Sequence, residues 1–418
     1  MDINLLLQGV DCKCGKKHAC PIKYVYVEDG AICRLNEVLD GFDKILLVAD
    51  QNTFAAAGQK VEKEICSKIK NRVIFSGETV LIPNEKSIER VIENCKDIDF
   101  IVGVGSGVIQ DLCKYVSFEL KIPYAIVATA PSMDGYASSG AAMITDGMKV
   151  TYSVGLPYAI IADTDVLYNA PKEMIKAGYG DVVGKYSSLN DWKLSALVNG
   201  EYFCEYIYQA TMDMVKKTVS VADGLLKGDK QSIKTLTEAL IVVGILISFA
   251  GSSRPASGSE HHLSHFFEIV GIVTDTPYLA HGTDVAYSTV ITARIREELV
   301  ALKFPNKIYR PTDEQLKKEL RSVYYSVGDG CYNLQKKLAT YEKEFAEIYL
   351  ENQEKIKEIL KEMPSAKEIE RLLGLVGLDI DEYYQLYGKE KIEKAIKYAK
   401  DLKDRYTVLW LYYHLTGK

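Results

Sequence analysis

The chain has 418 residues, 47% hydrophobic and 26% charged, long enough for two packed domains and too apolar for a disordered protein. Its net charge of −6 excludes a protein built to coat nucleic acid, while a local cationic pocket remains allowed. Nine cysteines, an odd number, suit a reducing cytoplasm, and the start lacks the basic head and long apolar core of a secretion signal, so no membrane partner is expected.

The head of the chain reads CKCGKKHAC and gathers Cys12, Cys14, His18 and Cys20. These donors suit a zinc knuckle, but Cys12 and Cys14 are closer than the common Cys-x-x-Cys spacing, and a plain turn with reduced thiols has the same pattern. KILLVAD, from Lys44 to Asp50, is expected as a buried strand, followed by a helix from Thr53 to about Asn71, the opening of a βαβ unit. Asp50 at the strand end suits either a ribose or a helix cap. A helix over Lys86–Cys95 and a strand over Asp99–Val104 repeat the pattern. GVGSGVIQD at 103–111 then leads into a helix that ends at Leu120. Gly103, Gly105 and Gly107 alternate in this turn, which suits either a phosphate on the helix N–H groups or simply a tight bend.

Tyr124–Ala128 reads as a third strand and runs into TAPSMDGYASSG at 129–140. Thr129, Ser132, Asp134 and Ser138 therefore fall at the carboxyl edge, where open α/β sheets bind ligands. A polar loop with a capping Asp is the plainer alternative. Ala142–Ala162 is expected as a hairpin around Asp146–Gly147, returning through AIIAD to Asp163.

Beyond Thr164 helices take over. A short helix over Pro171–Ala177 is expected to stop at Gly178-Tyr179-Gly180, and another to open at Asp181, with Lys185 one turn on. ALIVVGILISFA, from Ala239 to Ala250, is too short for a bilayer and reads as a buried helix. The stretch Ser252–His281 holds four of the six histidines. Pro255, the candidate caps Ser257 and Ser259, and Glu260 mark a helix start, which puts His261 and His265 on one face. His281 follows just before Gly282. Imidazoles so spaced suit a metal, and three merely hydrogen-bonded histidines would share the spacing. From Leu299 on, the chain reads as a Lys/Glu-rich scaffold of amphipathic helices.

Taken together, GSGVIQD, TAPSMDGYAS, GYGD–GK, SRPASGSEHHLSH and AHG resemble the sn-glycerol-1-phosphate dehydrogenases, particularly the bacterial type, of the iron-containing alcohol dehydrogenase and dehydroquinate synthase superfamily. The likeness runs in order from about Lys44 to Thr289. It implies a Rossmann-like α/β nucleotide-binding domain (residues 1–165), an all-α domain (166–418) and an active site in the cleft between them, in a homo-oligomer. On matching positions, Asp181, His261 and His281 are implied as ligands of one divalent zinc, nickel or iron ion. Asp134, Asp181 and His265 are implied at the substrate, with Arg254 and Lys185 as candidate phosphate anchors. Gly105, Ser106, Gly107, Val108, Ile109, Gln110 and Asp111 are implied to hold NAD or NADP, together with Thr129, Ala130, Pro131, Ser132 and Ser138, with Asp50 near the ribose.

The implied activity is reversible reduction of dihydroxyacetone phosphate, with catalysis by Asp181 and His265. A small-polyol dehydrogenase or a non-catalytic relative are the alternatives. A dehydroquinate-synthase-like lyase has a glutamate where Asp181 stands. The family usually continues Gly-Glu after its last histidine, whereas this chain reads Gly282-Thr283-Asp284; the CKCGKKHAC head and the C-terminal helices lie outside the shared pattern.

Overall fold

Strands that are apolar on both faces need cover on both sides, and the first half of the chain builds a parallel sheet of this kind. In this computed structural model, which describes residues 1–79, 81–145 and 148–418, six strands form it: β1 (Tyr24–Glu28), β2 (Ile45–Asp50), β3 (Ile69–Phe75), β4 (Phe100–Gly105), β5 (Tyr124–Ala128) and β6 (Ala159–Asp163). They pair in the order β1-β6-β5-β4-β2-β3, every neighbour parallel. The inner strands β4, β5 and β6 are buried along their whole length, and β2 up to Asp50. The edge strands β1 and β3 mix buried with partly exposed positions.

The chain leaves β2 toward β3, then crosses back to place β4 on the other side of β2. The strand order therefore reverses between β2 and β4, whose carboxyl ends lie side by side, with Ala49 opposite Val104. Open α/β sheets bind ligands outside such a point.

Three expectations need correction. The helix expected from Thr53 to Asn71 ends at Glu64, because Asn71 already lies in edge strand β3, whose mixed exposure hides it. The hairpin is Gly140–Thr145 against Met148–Ser153, and its 146–147 connection lies outside the described residues. AIIAD is not its return arm but β6, paired with β1 and β5. Nor does Gly178-Tyr179-Gly180 break a helix: α2 runs unbroken from Lys172 to Asn199, with Asp181 and Lys185 in its interior. A Cβ at Gly178 would run into the Pro131 carbonyl oxygen, so the glycine serves close approach.

By its contacts the chain divides into two units: Met1–Val182 with Lys216–Ser252, and Val183–Val215 with Ser253–Lys418. The division falls inside α2 rather than at residue 165. Lys216–Ser252 returns to the first unit because helix α3 (Lys230–Ala250) packs there, Gly244 lying so close that a Cβ would be 2.7 Å from the Asp134 carbonyl oxygen. By length and composition α3 could cross a membrane, but 83% of its apolar stretch is buried inside the protein.

Among its described residues the second unit holds helices and no strand. Asp191, fully buried, ties three of its segments together. One carboxylate oxygen accepts from Arg296 Nη2 at 2.7 Å and the Val408 N–H at 2.8 Å, the other from the Ser259 N–H at 2.7 Å. Arg296 is also buried and donates to Asn190 and to the carbonyls of Ser187 and Thr292, so the ion pair has the hydrogen bonds a buried pair needs.

Candidate nucleotide and metal sites

At the switch between β2 and β4, glycines do two different jobs. Gly103 and Gly105 make room for packing: a Cβ would meet Cys113 Sγ at 2.8 Å or Ile109 Cβ at 2.6 Å. Gly107, the first residue of helix α1 (Gly107–Leu120), faces open space. Ser106 caps α1 without a side-chain hydrogen bond. The first N–H groups of a helix have no partner within it, and a first turn with room at Gly107 suits a phosphate. The rest of this turn is committed to the fold. Ile109 is buried, Gln110 donates to Tyr124 Oη and the Tyr136 carbonyl, and Asp111 accepts from the Ala142 N–H. Beside it, Asp50 accepts from the Thr53 N–H at 2.8 Å in a capping box, the capping alternative.

The TAPSMDG loop is held from several sides. The Thr129 N–H donates to the Gly105 carbonyl, the Ala130 carbonyl accepts from Tyr136 Oη, and Pro131 lies against Gly178. Ser132 is partly exposed at the same edge, and Ser138 Oγ donates to the Gly135 carbonyl. The Asp134 N–H donates to Asp181 Oδ2 at 3.0 Å, which joins the loop to α2. Lys114 carries no motif signal in the sequence. It is buried, its pKa lowered by burial, and it donates to the carbonyls of Gly135 and Gly140.

In the second unit, helix α4 (Ser259–Thr274) carries His261 and His265, and His281 opens helix α5 (His281–Ala301). Their rings cluster, with centroids 5.1 Å apart for His261 and His281, 5.6 Å for His265 and His281, and 6.0 Å for His261 and His265. His265, Glu268 and His281 each offer a ligand atom within 4.8 Å of the others.

The start of α4 is not capped by Ser257 or Ser259 as expected. Gly258 is the cap residue, its N–H donates to Glu260 Oε1 at 2.8 Å, and the Ser259 N–H goes to Asp191. The same Glu260 oxygen lies 2.7 Å from His261 Nδ1. Glu260 is fully buried; burial raises its pKa, against which the Gly258 N–H, Ser187 and the charge of Lys185 act. In the sequence Glu260 signals only a helix start, and its hold on His261 is invisible there. His262 faces the core instead: burial first, then the charges of Lys403, Arg405 and Arg254, push it well below its usual range and keep it neutral. Asp284, after the departing Gly282-Thr283, accepts from Tyr387 Oη at 2.8 Å and 2.9 Å.

The two candidate anchors differ. Arg254 is buried and committed, donating to both oxygens of Glu201, to Ser195 Oγ and to the Tyr406 carbonyl. Lys185 is buried on α2, one turn beyond Asp181.

Comparison with known proteins gives the family and the fold. Residues 26–171 match the family model described as iron-containing alcohol dehydrogenase. The chain is similar to a glycerol-1-phosphate dehydrogenase [NAD(P)+] of Geobacillus stearothermophilus, 31% identical over 412 residues, covering 96% of this chain and 94% of that protein. It is also similar to one from Thermococcus kodakarensis, 34% identical over 278 residues, covering 64% and 77%. In fold it is similar to an iron-containing alcohol dehydrogenase of Thermococcus thioreducens, with a TM-score of 0.61 at 14% identity over 94% of this chain and 98% of that one.

Proposed function

The chain belongs to the glycerol-1-phosphate dehydrogenase family, and from that premise we propose that it reversibly reduces dihydroxyacetone phosphate to sn-glycerol 1-phosphate with NAD(P)H. The observation that carries the reading is the cluster of His261, His265 and His281, with Glu260 on the Nδ1 of His261. An imidazole whose Nδ1–H donates to a carboxylate keeps a basic lone pair on Nε2, the form in which it binds a metal. We assign Asp181, His261 and His281 as ligands of one divalent ion, a donor set that accepts zinc, nickel or iron. When bound, the ion acts as a Lewis acid on the substrate carbonyl and the reduced nicotinamide supplies hydride.

The chain's own part is to bind, orient and deliver a proton. His265, with Glu268 and His281 beside it, is assigned the proton given to the forming alkoxide. Asp134 and Asp181 are assigned to orienting the substrate hydroxyl. The first turn of α1 at Ser106, Gly107 and Val108 is assigned to the pyrophosphate, Thr129–Ser132 and Ser138 to the nicotinamide side, and Asp50 to the ribose. Lys185, on α2 one turn beyond Asp181, is the phosphate anchor we retain, and Arg254 is assigned to the fold through Glu201, Ser195 and Tyr406.

The test is kcat/KM for dihydroxyacetone phosphate against dihydroxyacetone in the metal-reconstituted enzyme. A hydrogen bond to a charged group is worth about 1.5–3 kcal/mol, so the phosphate should win by about ten- to a hundredfold. In Lys185→Ala that gap should narrow. Preference of the unmodified enzyme for the neutral ketone would make it a small-polyol dehydrogenase instead.

A further inference from the structure

The head of the chain carries a second group of donors that the reaction does not use. Val10–Asp11 and Lys17–His18 pair antiparallel, Val10 opposite His18 and Asp11 opposite Lys17. The connecting turn closes through the Cys12 N–H to the Lys16 carbonyl at 3.2 Å and the Gly15 N–H to the Cys12 carbonyl at 3.1 Å. Gly15 sits at φ +85, a left-handed conformation that glycine adopts readily. Two strands of two residues do not hold a shape in water by themselves. The fold of this turn nonetheless brings Cys12, Cys14 and His18 together, one ligand atom from each lying within 4.8 Å of the others.

His18 supplies the second, independent observation. It is 1% exposed, its ring stacks on Phe249 of α3 with centroids 5.4 Å apart and planes 12° off parallel, and its Nδ1 lies 3.1 Å from the Phe249 carbonyl oxygen. A carbonyl can only accept, so Nδ1 carries the proton and Nε2 carries the lone pair. That lone pair faces the Cys14 thiol, whose Sγ lies 3.4 Å from Nε2. An imidazole oriented by a backbone carbonyl on its far nitrogen is the usual arrangement around a bound metal. Cys20, expected as a fourth donor, is not in the group; burial raises its thiol pKa and it hydrogen-bonds to Ser248.

We propose that Cys12, Cys14 and His18 bind a structural zinc ion that staples this hairpin onto α3. Two thiolates and an imidazole are soft donors that select zinc over the harder divalent ions. Structural zinc takes four donors, and these three leave one position to a donor outside the hairpin. Each thiol releases its proton on binding, and the binding free energy becomes folding free energy for a segment with little core of its own. This site is independent of the catalytic reading, since a carboxylate and two imidazoles contain no sulfur.

The experiment loads full-length protein with Co²⁺ and reads the near-ultraviolet thiolate-to-cobalt charge-transfer band. The band is expected in the unmodified chain and in His261→Ala, and is expected to vanish in Cys12→Ser/Cys14→Ser, whose zinc content should fall by one ion per chain with dehydrogenase activity retained. In case that double variant misfolds, a thiol reagent on the unmodified protein gives a second reading, with two cysteines protected by Zn²⁺ and exposed by a chelator. Absence of the band, its survival in the double variant, or equal thiol reactivity with and without Zn²⁺ would overturn the proposal.

Discussion

A buried carboxylate one residue before a ligand candidate is costly unless it is used, and Glu260 is used twice, by the Gly258 N–H and by His261 Nδ1. Glu260→Gln keeps the shape and removes the charge that makes Nε2 basic. Metal affinity should fall about 10- to 100-fold in an equilibrium competition titration, with the circular dichroism unchanged; unaltered affinity would reduce Glu260 to a helix-start residue. His414 gives a pH prediction at the same scale. Burial first, then the charges of Lys400 and Arg310, lower its pKa from 6.5 to about 3, and Tyr349 Oη lies 2.7 Å from its Nδ1. Below pH 6.5 the unfolded chain takes up a proton that the folded chain refuses until about pH 3. The folded state therefore loses stability as pH falls through that window, by up to about 1.4 kcal/mol per pH unit from this group. Denaturant melts of His414→Gln should show a shallower acid slope than the unmodified protein; an identical slope would assign the acid sensitivity elsewhere. Neither role is legible in the sequence, because both depend on burial by distant segments.

Among the elements, glycine was the residue whose meaning the sequence left open. In the 178–180 stretch it reads as a helix stop, yet α2 continues, because an element that must touch the Pro131 carbonyl tolerates the weaker helix former. The Gly103, Gly105 and Gly107 alternation reads as one motif and is in fact two jobs, packing and an open helix start. These assignments predict opposite outcomes. Gly178→Ala should lower stability by about 1–3 kcal/mol or more, as an overpacked contact does, and shift the melting temperature. Gly107→Val should leave the melt almost untouched but raise the nicotinamide dissociation constant at least about tenfold, the loss of one charge-assisted hydrogen bond. A large loss of stability in the second variant, or none in the first, would reverse the assignment. Inner strands such as Tyr124–Ala128 were legible because burial on both faces makes them continuously apolar. Edge strand Tyr24–Glu28 carries no such run, since its partly exposed positions hold tyrosine, valine and glutamate that a loop would also carry.

For the whole molecule, the α/β-then-helical order was legible from the pattern, but the division into units was not. A linear reading puts the boundary after the last strand; the contacts send the chain into the second unit at Val183, back at Lys216 and out again at Ser253. Asp191 shows why: its partners Ser259, Arg296 and Val408 are 68, 105 and 217 residues along the chain. During synthesis, then, the sheet is finished long before its own cover has been made. Until α3 leaves the ribosome, the loop it packs against at Asp134 stays bare, and until residue 408 emerges the carboxylate of Asp191 lacks the last of its three partners. A nascent or truncated chain ending at Val182 should accordingly bind a hydrophobic dye and elute as aggregate, while the full chain does neither. Folding of this protein is a matter of waiting, its halves completed in an order that the finished fold no longer reveals.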